Sequence, residues 1–171
     1  MKEISFRTDV LPLRDELFRL ALRITLNRAD AEDVVQETML KVWNRREHWD
    51  EIESMEALCL TICRNQAIDR IKRADNKNAS LEEGPEWVDH RHDSNPEQQT
   101  VWHDRMATVR RLIERLPEKQ RTCMQLRDME GKAYKEIAQV MGITEQQVKV
   151  NIFRARQTIK EKFQQIEQYG L

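Results

Sequence analysis

A stretch near the C-terminus combines side chains that can read base edges in DNA with side chains that can hold phosphates. Glutamine and asparagine amides bond adenine in the major groove, and lysine can reach guanine. Arginine contacts with phosphates fix the register of a protein on DNA without reading its sequence. The candidates for base edges are Gln146, Gln147, Lys149, Val150 and Asn151, and those for phosphates are Arg154 and Arg156.

The residues just before this stretch predict a helix-turn-helix. Ala138 is small enough for two helices to cross, Gly142 suits a left-handed residue after the first helix, and Thr144 with Gln147 resembles a capping box. This spacing is typical of the DNA-binding motif. Any tight pair of helices can carry Ala and Gly four residues apart, but the excess of cations after the turn favours DNA binding.

Two segments of the N-terminal half are also charged in blocks. Residues 30–43 read DAEDVVQETMLKVW and have four acids before the first base, whereas residues 62–73 read ICRNQAIDRIKR and end in bases. Both patterns can simply complement helix dipoles. The basic segment can also form a second surface for nucleic acid.

The chain as a whole is predicted to be all-α. It has 171 residues with only four Gly and four Pro, too few for the turns of a β-sandwich or barrel. Apolar spacing predicts N-terminal helices over 10–27, 31–46 and 54–73, with Asp30 as N-cap of the second. These three form a small bundle.

The C-terminal half is predicted to begin after a long acidic linker. Helical periodicity stops between Asp75 and Asn95, and Ser94 with Glu97 resembles a capping box, with Pro96 early in the helix that follows to about residue 115. A further helix runs from Pro117 to about residue 129 and ends at Gly131.

The formal net charge of −1 hides a division along the chain. Residues 1–75 carry 13 basic and 15 acidic side chains, residues 76–105 carry 3 and 7, and residues 106–171 carry 13 and 8. Only the C-terminal end is therefore basic, which agrees with its predicted contact with DNA.

Other classes of protein find little support in the sequence. The longest apolar run, residues 57–60, is too short to cross a membrane, and no signal peptide or enzyme motif is found. We predict a cytoplasmic protein that is not an enzyme and has no cofactor and no metal. We interpret the three cysteines as small buried residues: Cys59, Cys63 and Cys123. The nearest metal-like cluster is interpreted as a solvated loop: Asp89, His90, His92 and Asp93, with His103 beyond.

Three segments in this order resemble bacterial RNA polymerase sigma factors of the extracytoplasmic-function (ECF) group of the sigma-70 family. They are DAEDVVQETMLKVW, CLTICRNQAIDRIKR and, after the acidic linker, LPEKQRTCMQLRDMEGKAYKEIAQVMGITEQQVKVNIFRARQTIKEKF. The resemblance covers roughly residues 10–165.

The resemblance implies two small helical domains joined by a flexible acidic linker. Residues 1–75 would bind core polymerase and the minus-ten promoter element, residues 76–95 would thread toward the active-site cleft, and residues 96–171 would read the minus-thirty-five element. It assigns core binding to Asp33, Gln36 and Glu37, and minus-ten binding to Asn65, Asp69, Arg70, Lys72 and Arg73, with a flipped base held near the loop at 47–56. The implied partners are core polymerase, promoter DNA and an anti-sigma factor.

The sequence departs from the family at two places. Many members read Gly-Thr-Val-Lys-Ser-Arg in the recognition helix where this chain has residues 146–151, so no promoter sequence is carried over. A tryptophan common before the Asn-x-x-x-Asp segment is Leu58 here, which leaves open the role of Trp49 in DNA opening.

Two other functions remain as alternatives. A stand-alone helix-turn-helix regulator, whose N-terminal helices dimerise or sense a ligand, would bind a palindromic operator unaided. A helical adaptor that binds only protein leaves the basic recognition helix unexplained.

Overall fold

The computed structural model describes residues 3–78 and 101–169, and the regular structure of those residues is helical. The N-terminal half contains α1 (Arg14–Thr25), α2 (Arg28–Asn44) and α3 (Met55–Asn78). The C-terminal half contains α4 (Val101–Glu114), α5 (Glu118–Met124), α6 (Tyr134–Met141) and α7 (Glu145–Tyr169). The all-α prediction, with a bundle and a helix-turn-helix unit, is confirmed.

Short helical turns complete the path of the chain. One π-helical turn and one 3₁₀ turn precede α1, at Phe6–Val10 and Leu11–Leu13. A 3₁₀ segment at Arg46–Glu51 joins α2 to α3, and a π-helical turn at Gln125–Met129 extends α5.

The predicted start of α2 was wrong by one turn. Asn27, not Asp30, is the N-cap: it has extended backbone angles (φ −139°, ψ 123°), and its side-chain oxygen accepts the N–H of Asp30 at 3.0 Å. Asn and Asp both cap helices well, so residue type does not decide between them. The cap is the residue whose backbone angles are not yet helical. Asp30 instead lies inside the first turn, where the helix dipole favours its charge.

The other predicted helix ends differ by a few residues. Predicted α1 began too early, because two short turns occupy residues 6–13. Helix α3 continues to residue 78 and so extends into the segment predicted as linker. The predicted capping box at Ser94 and Glu97 lies outside the described residues.

The N-terminal bundle buries one face of each of its three helices. Leu17, Leu20 and Ile24 of α1 are fully or almost fully buried. The cysteines of α3 are buried as predicted, and the Sγ atom of Cys63 donates to the carbonyl oxygen of Leu17 at 3.4 Å. Burial raises the pKa of both Cys59 and Cys63 to about 12, so these thiols stay protonated at neutral pH.

The two halves of the chain pack against each other. Helix α6 contacts α3, and α5 contacts α1. One apolar cluster contains residues of both halves, including Leu60 of α3 and Leu126, Ile137 and Val140 of the C-terminal half. This shared core means that the described halves form one body in this structure.

Ion pairs surround the apolar contact between the halves. Arg19 of α1 makes two bonds to the Glu130 carboxylate, at 2.6 and 2.9 Å. Lys132 pairs with both Glu16 of α1 and Glu56 of α3. A further pair links Arg64 of α3 to Glu118 of α5 at 3.3 Å.

Candidate nucleic-acid interface

The helix-turn-helix is formed by α6 and α7. Gly142 caps α6 in the left-handed region (φ 66°), and the next N–H, that of Ile143, donates to the carbonyl oxygen of Ala138 at 3.2 Å. The Thr144 hydroxyl accepts the N–H of Gln147 at 3.1 Å, and the Gln147 side chain accepts the N–H of Thr144 at 2.9 Å. The predicted turn glycine and capping box are confirmed.

The buried face of α7 fixes which side chains point away from the protein. Val148, Ile152 and Ala155 are buried in the core. Gln146 and Val150 lie on the opposite face and are exposed.

Two candidates for base reading are already bonded within the protein. Gln147 is held in the capping box, and the amide nitrogen of Asn151 donates to the carbonyl oxygen of Gln147 at 2.8 Å. The Nζ atom of Lys149 lies 5.3 Å from the ring centre of Tyr134. Sequence reasoning missed Tyr134, whose ring also lies 4.3 Å from the guanidinium carbon of Arg127.

The two candidates for phosphate contact differ in their surroundings. Arg156 forms a two-bond ion pair with Asp128, and this hydrogen bonding raises the pKa of its guanidinium. Arg154 is exposed and has no carboxylate partner in the described part of the chain. Arg154 is therefore the one of the two that can meet a phosphate without losing an existing bond.

Four of the five candidates for the minus-ten element form one exposed face of α3. Asn65, Asp69, Lys72 and Arg73 are exposed and recur at spacings of three and four residues, which places them on one side of a helix.

The fifth candidate, Arg70, points toward α2 and meets the acidic segment. Its guanidinium lies 3.2 Å from Asp30, 3.1 Å from Asp33 and 3.4 Å from Glu37. The structure thus brings two core-binding candidates together with one DNA-binding candidate. Gln66 of α3, with its amide oriented to satisfy its neighbours, also bonds Glu37 at 3.0 Å.

Both halves of the chain are similar to known protein families. Residues 10–77 match the family model for sigma-70 region 2, and residues 106–159 match that for sigma-70 region 4. The ECF RNA polymerase sigma factor SigL of Mycobacterium tuberculosis is 31% identical over 155 residues, covering 88% of this chain and 84% of that protein. The chain belongs to the ECF group of RNA polymerase sigma factors.

A further relative agrees with this assignment, and two solved structures share the fold. The ECF sigma factor SigE of Mycolicibacterium smegmatis is 31% identical over 151 residues, and the chain spans 57% of its length. The sigma factor RpoE of Bartonella quintana, solved with the anti-sigma factor NepR, has the same fold at a TM-score of 0.75 and 20% identity, covering 91% of this chain and 94% of that one. CnrH, solved with the cytosolic domain of CnrY, has a TM-score of 0.66 at 21% identity, covering 93% and 87%.

The third core-binding candidate of this sigma factor, Gln36, lies apart from Asp33 and Glu37. It lines an open groove of about 620 Å³ between the N-terminal turns, α1 and α2. Apolar side chains line the groove together with four charged ones, and Leu40 among the apolar ones is 62% exposed. Gln36 and the acidic pair therefore lie on different sides of α2.

The segment between α2 and α3 of the sigma factor is anchored by Trp49. Its ring is buried, and Nε1 donates to the carbonyl oxygen of Val42 at 3.0 Å. It also packs edge to face on Trp43, with ring centres 6.1 Å apart. Trp49 thus holds the 47–56 loop in place rather than pointing into solvent, whereas Trp43 is 43% exposed.

No group of three or more metal-ligating side chains occurs within residues 3–78 and 101–169 of this sigma factor. The acidic and histidine-containing segment at 89–93 lies outside the described residues. None of the helices in the described ranges is both long and apolar enough to cross a membrane.

Proposed function

We propose that the two halves of this sigma factor contact the transcription machinery through the surfaces described above. The chain is a sigma factor that acts in promoter recognition and transcription initiation, and sigma factors bind core RNA polymerase and promoter DNA. In the proposed division, residues 1–75 bind core polymerase and the minus-ten element, 76–95 link the halves, and 96–171 read the minus-thirty-five element.

One observation carries the proposal: a single chain exposes both a helix-turn-helix and a separate polar helix face. Helix α3 offers amide and cationic groups to DNA on the exposed face formed by Asn65, Asp69, Lys72 and Arg73. Helix α7 offers a second group of exposed polar and cationic side chains to another promoter element. A stand-alone regulator needs only one such surface for each half-site.

The core-binding role is assigned to the acidic side of α2. Asp33 and Glu37 are 55% and 47% exposed, so they can reach a basic surface of the polymerase while Arg70 holds their orientation. Arg70 then acts as a positioning residue for core binding. It also lies beside the exposed face of α3 that is proposed to bind the minus-ten element. Gln36 would contact the polymerase from the groove side of the helix.

The packing between the halves must open on a promoter. The names of the two elements place them about 25 base pairs apart, which is about 85 Å of B-DNA at 3.4 Å per base pair. A compactly folded chain of this length has a radius of gyration of only about 15 Å. With its halves packed together, the chain therefore cannot contact both promoter elements at once. We propose that binding to core polymerase separates the two halves.

An anti-sigma factor is the proposed inhibitory partner, and the cytoplasm the proposed location. RpoE and CnrH share this fold and were both solved with a protein partner. A partner that covers the groove beside Gln36 would bury exposed Leu40 and cover Gln36, one of the three residues proposed to contact polymerase.

The proposal is tested by reconstituting the full chain with core polymerase and mapping transcription start sites across genomic DNA. Specific starts are expected only when both are present, and weak duplex binding is expected from the chain alone. The double variant Asp33→Asn, Glu37→Gln is expected to lose core binding, whereas Glu161→Gln, at an exposed position far along α7, retains it. Tight, symmetric operator binding by the chain alone would contradict the proposal.

A further inference from the structure

The recognition helix of this sigma factor exposes an apolar pair on its outward face. Phe153 is 67% exposed and Val150 is 37% exposed. Gln146, Val150 and Phe153 follow one another at spacings of four and three residues, which places them on one side of α7. The buried residues Val148 and Ile152 lie on the opposite side.

Few polar groups on this part of the helix remain available for base edges. Gln147 is bonded within the capping box, and Asn151 donates to the carbonyl oxygen of Gln147. Among the outward-facing candidates, Gln146 is left as the amide that can bond a base without breaking an existing bond. On the same side of the helix as Gln146 lie the exposed hydrocarbon side chains of Val150 and Phe153.

The charges around the apolar pair indicate what covers it. Lys149 and Arg154 flank it on either side along the helix, and both are exposed. An apolar strip between two cations matches a DNA groove, in which phosphates lie on both sides of the base edges. In the major groove, the apolar group that distinguishes one base pair from the others is the C5-methyl of thymine.

We propose that Val150 and Phe153 read thymine methyl groups in the minus-thirty-five element. The inference rests on the proposed function, in which α7 enters the major groove of that element, and adds the identity of the base that the helix selects. Phe153 becomes a specificity residue beside Val150. Gln146 bonds a neighbouring base from the same side of the helix.

The test removes the methyl group and nothing else. Holoenzyme reconstituted from core polymerase and the full chain is bound to a promoter duplex taken from the mapped start sites. Each thymine of the minus-thirty-five element is replaced in turn by deoxyuridine, which keeps the base pairing. At one or two positions, affinity is expected to fall about fourfold, the effect of losing one buried methyl group.

Protein variants connect that loss to the two side chains. In the double variant Val150→Ser, Phe153→Gln, thymine and deoxyuridine duplexes are expected to bind equally. Gln146→Ala is the matched control on the same face, and it is expected to weaken binding while keeping the fourfold ratio. Because the deoxyuridine series is first measured with the unaltered protein, the result does not depend on how well a variant folds.

The outcomes separate this inference from the proposed function. If the holoenzyme starts transcription specifically but no thymine position responds to deoxyuridine, or the element has no thymine, the base assignment is wrong and the sigma-factor surfaces stand. If the double variant instead loses binding to core polymerase, the apolar pair contacts protein and the inference is overturned. Failure of the chain to direct any specific start overturns the proposed function itself.

Discussion

The Nζ atom of Lys132 lies 2.8 Å from Oε1 of Glu16, and this ion pair joins the loop before α6 to helix α1. The side chains are only 14% and 13% exposed. Burial raises the pKa of the Glu16 carboxyl, an effect that Lys132 partly offsets. Burial also opposes the charge of Lys132, but its pairs with Glu16 and Glu56 outweigh this and raise its pKa.

Removing the lysine is expected to weaken the contact between the halves. Lys132→Met leaves Glu16 with a mostly buried charge and without its ion-pair partner, so the free energy of unfolding should fall by about 2 kcal/mol, somewhat less than for a fully buried pair. Urea unfolding followed by circular dichroism measures the change.

Lys135→Met provides the matched control for that experiment. Lys135 is exposed and lies three residues further along the chain. Its loss is expected to change the free energy of unfolding by less than about 0.5 kcal/mol. An equal loss in both variants would show that Lys132 does not act through Glu16.

The pair between Arg19 and Glu130 makes the stability of the folded chain depend on pH. Hydrogen bonding to Arg19 holds the pKa of Glu130 below its ordinary value. A depressed carboxyl pKa gives stability that is present above the unfolded-state value of about 4.3 and is lost as pH falls through the folded-state value. Glu130→Gln should therefore be less stable than the unaltered chain at pH 7, and the difference should shrink below about pH 4.

The pH experiment compares thermal unfolding of both proteins between neutral and acid pH. Glu53→Gln, at an exposed position just before α3, is the control and is expected to follow the unaltered chain throughout. A Glu130→Gln difference that stays constant with pH would mean that the carboxyl charge is not what stabilises the pair.

The features that the sequence predicted correctly depend on neighbouring residues. The turn at Gly142 and the box between Thr144 and Gln147 lie within six residues, and the backbone geometry of such signals is local. The same holds for the helical periodicity of the bundle. The N-cap of α2 was missed because Asn27 and Asp30 are equally good caps by residue type.

The features that the sequence did not predict depend on contacts distant in the chain. The Lys132–Glu16 pair and the packing of α6 on α3 require the whole fold to be known. The family resemblance assigns Arg70 to the minus-ten element, which stays a prediction, and nothing in the sequence indicated that its guanidinium pairs with the acids of α2. Periodicity did offer a signal for Phe153, because it falls outside the buried positions 148, 152 and 155.

The capping box predicts different effects for two substitutions at one position. Gln147→Ala removes the side-chain bond to the N–H of Thr144 and is expected to lower the free energy of unfolding by about 1 kcal/mol. Gln147→Glu keeps an acceptor there and adds a negative charge to the first turn of α7, so stability should be retained. Urea unfolding of the two variants, with Gln146→Ala as a neutral control, measures this. Equal losses from both would mean that the box does not stabilise the helix.

The two arginines of the recognition helix should differ in their effect on salt dependence. Arg154 has no carboxylate partner in the described part of the chain, so Arg154→Ala removes a phosphate contact and should reduce the slope of log affinity against log salt by about one, for all sequences alike. Arg156 is paired with Asp128, so Arg156→Ala should reduce the slope by less. Asp128→Asn releases Arg156 and should increase the slope.

Holoenzyme binding to promoter duplexes at several salt concentrations measures these slopes, with duplexes that differ at single bases compared in parallel. Equal reductions from Arg154→Ala and Arg156→Ala would mean that DNA breaks the Arg156–Asp128 pair. A loss confined to one base substitution would mean that Arg154 reads sequence, because a phosphate contact weakens binding to every duplex by the same factor.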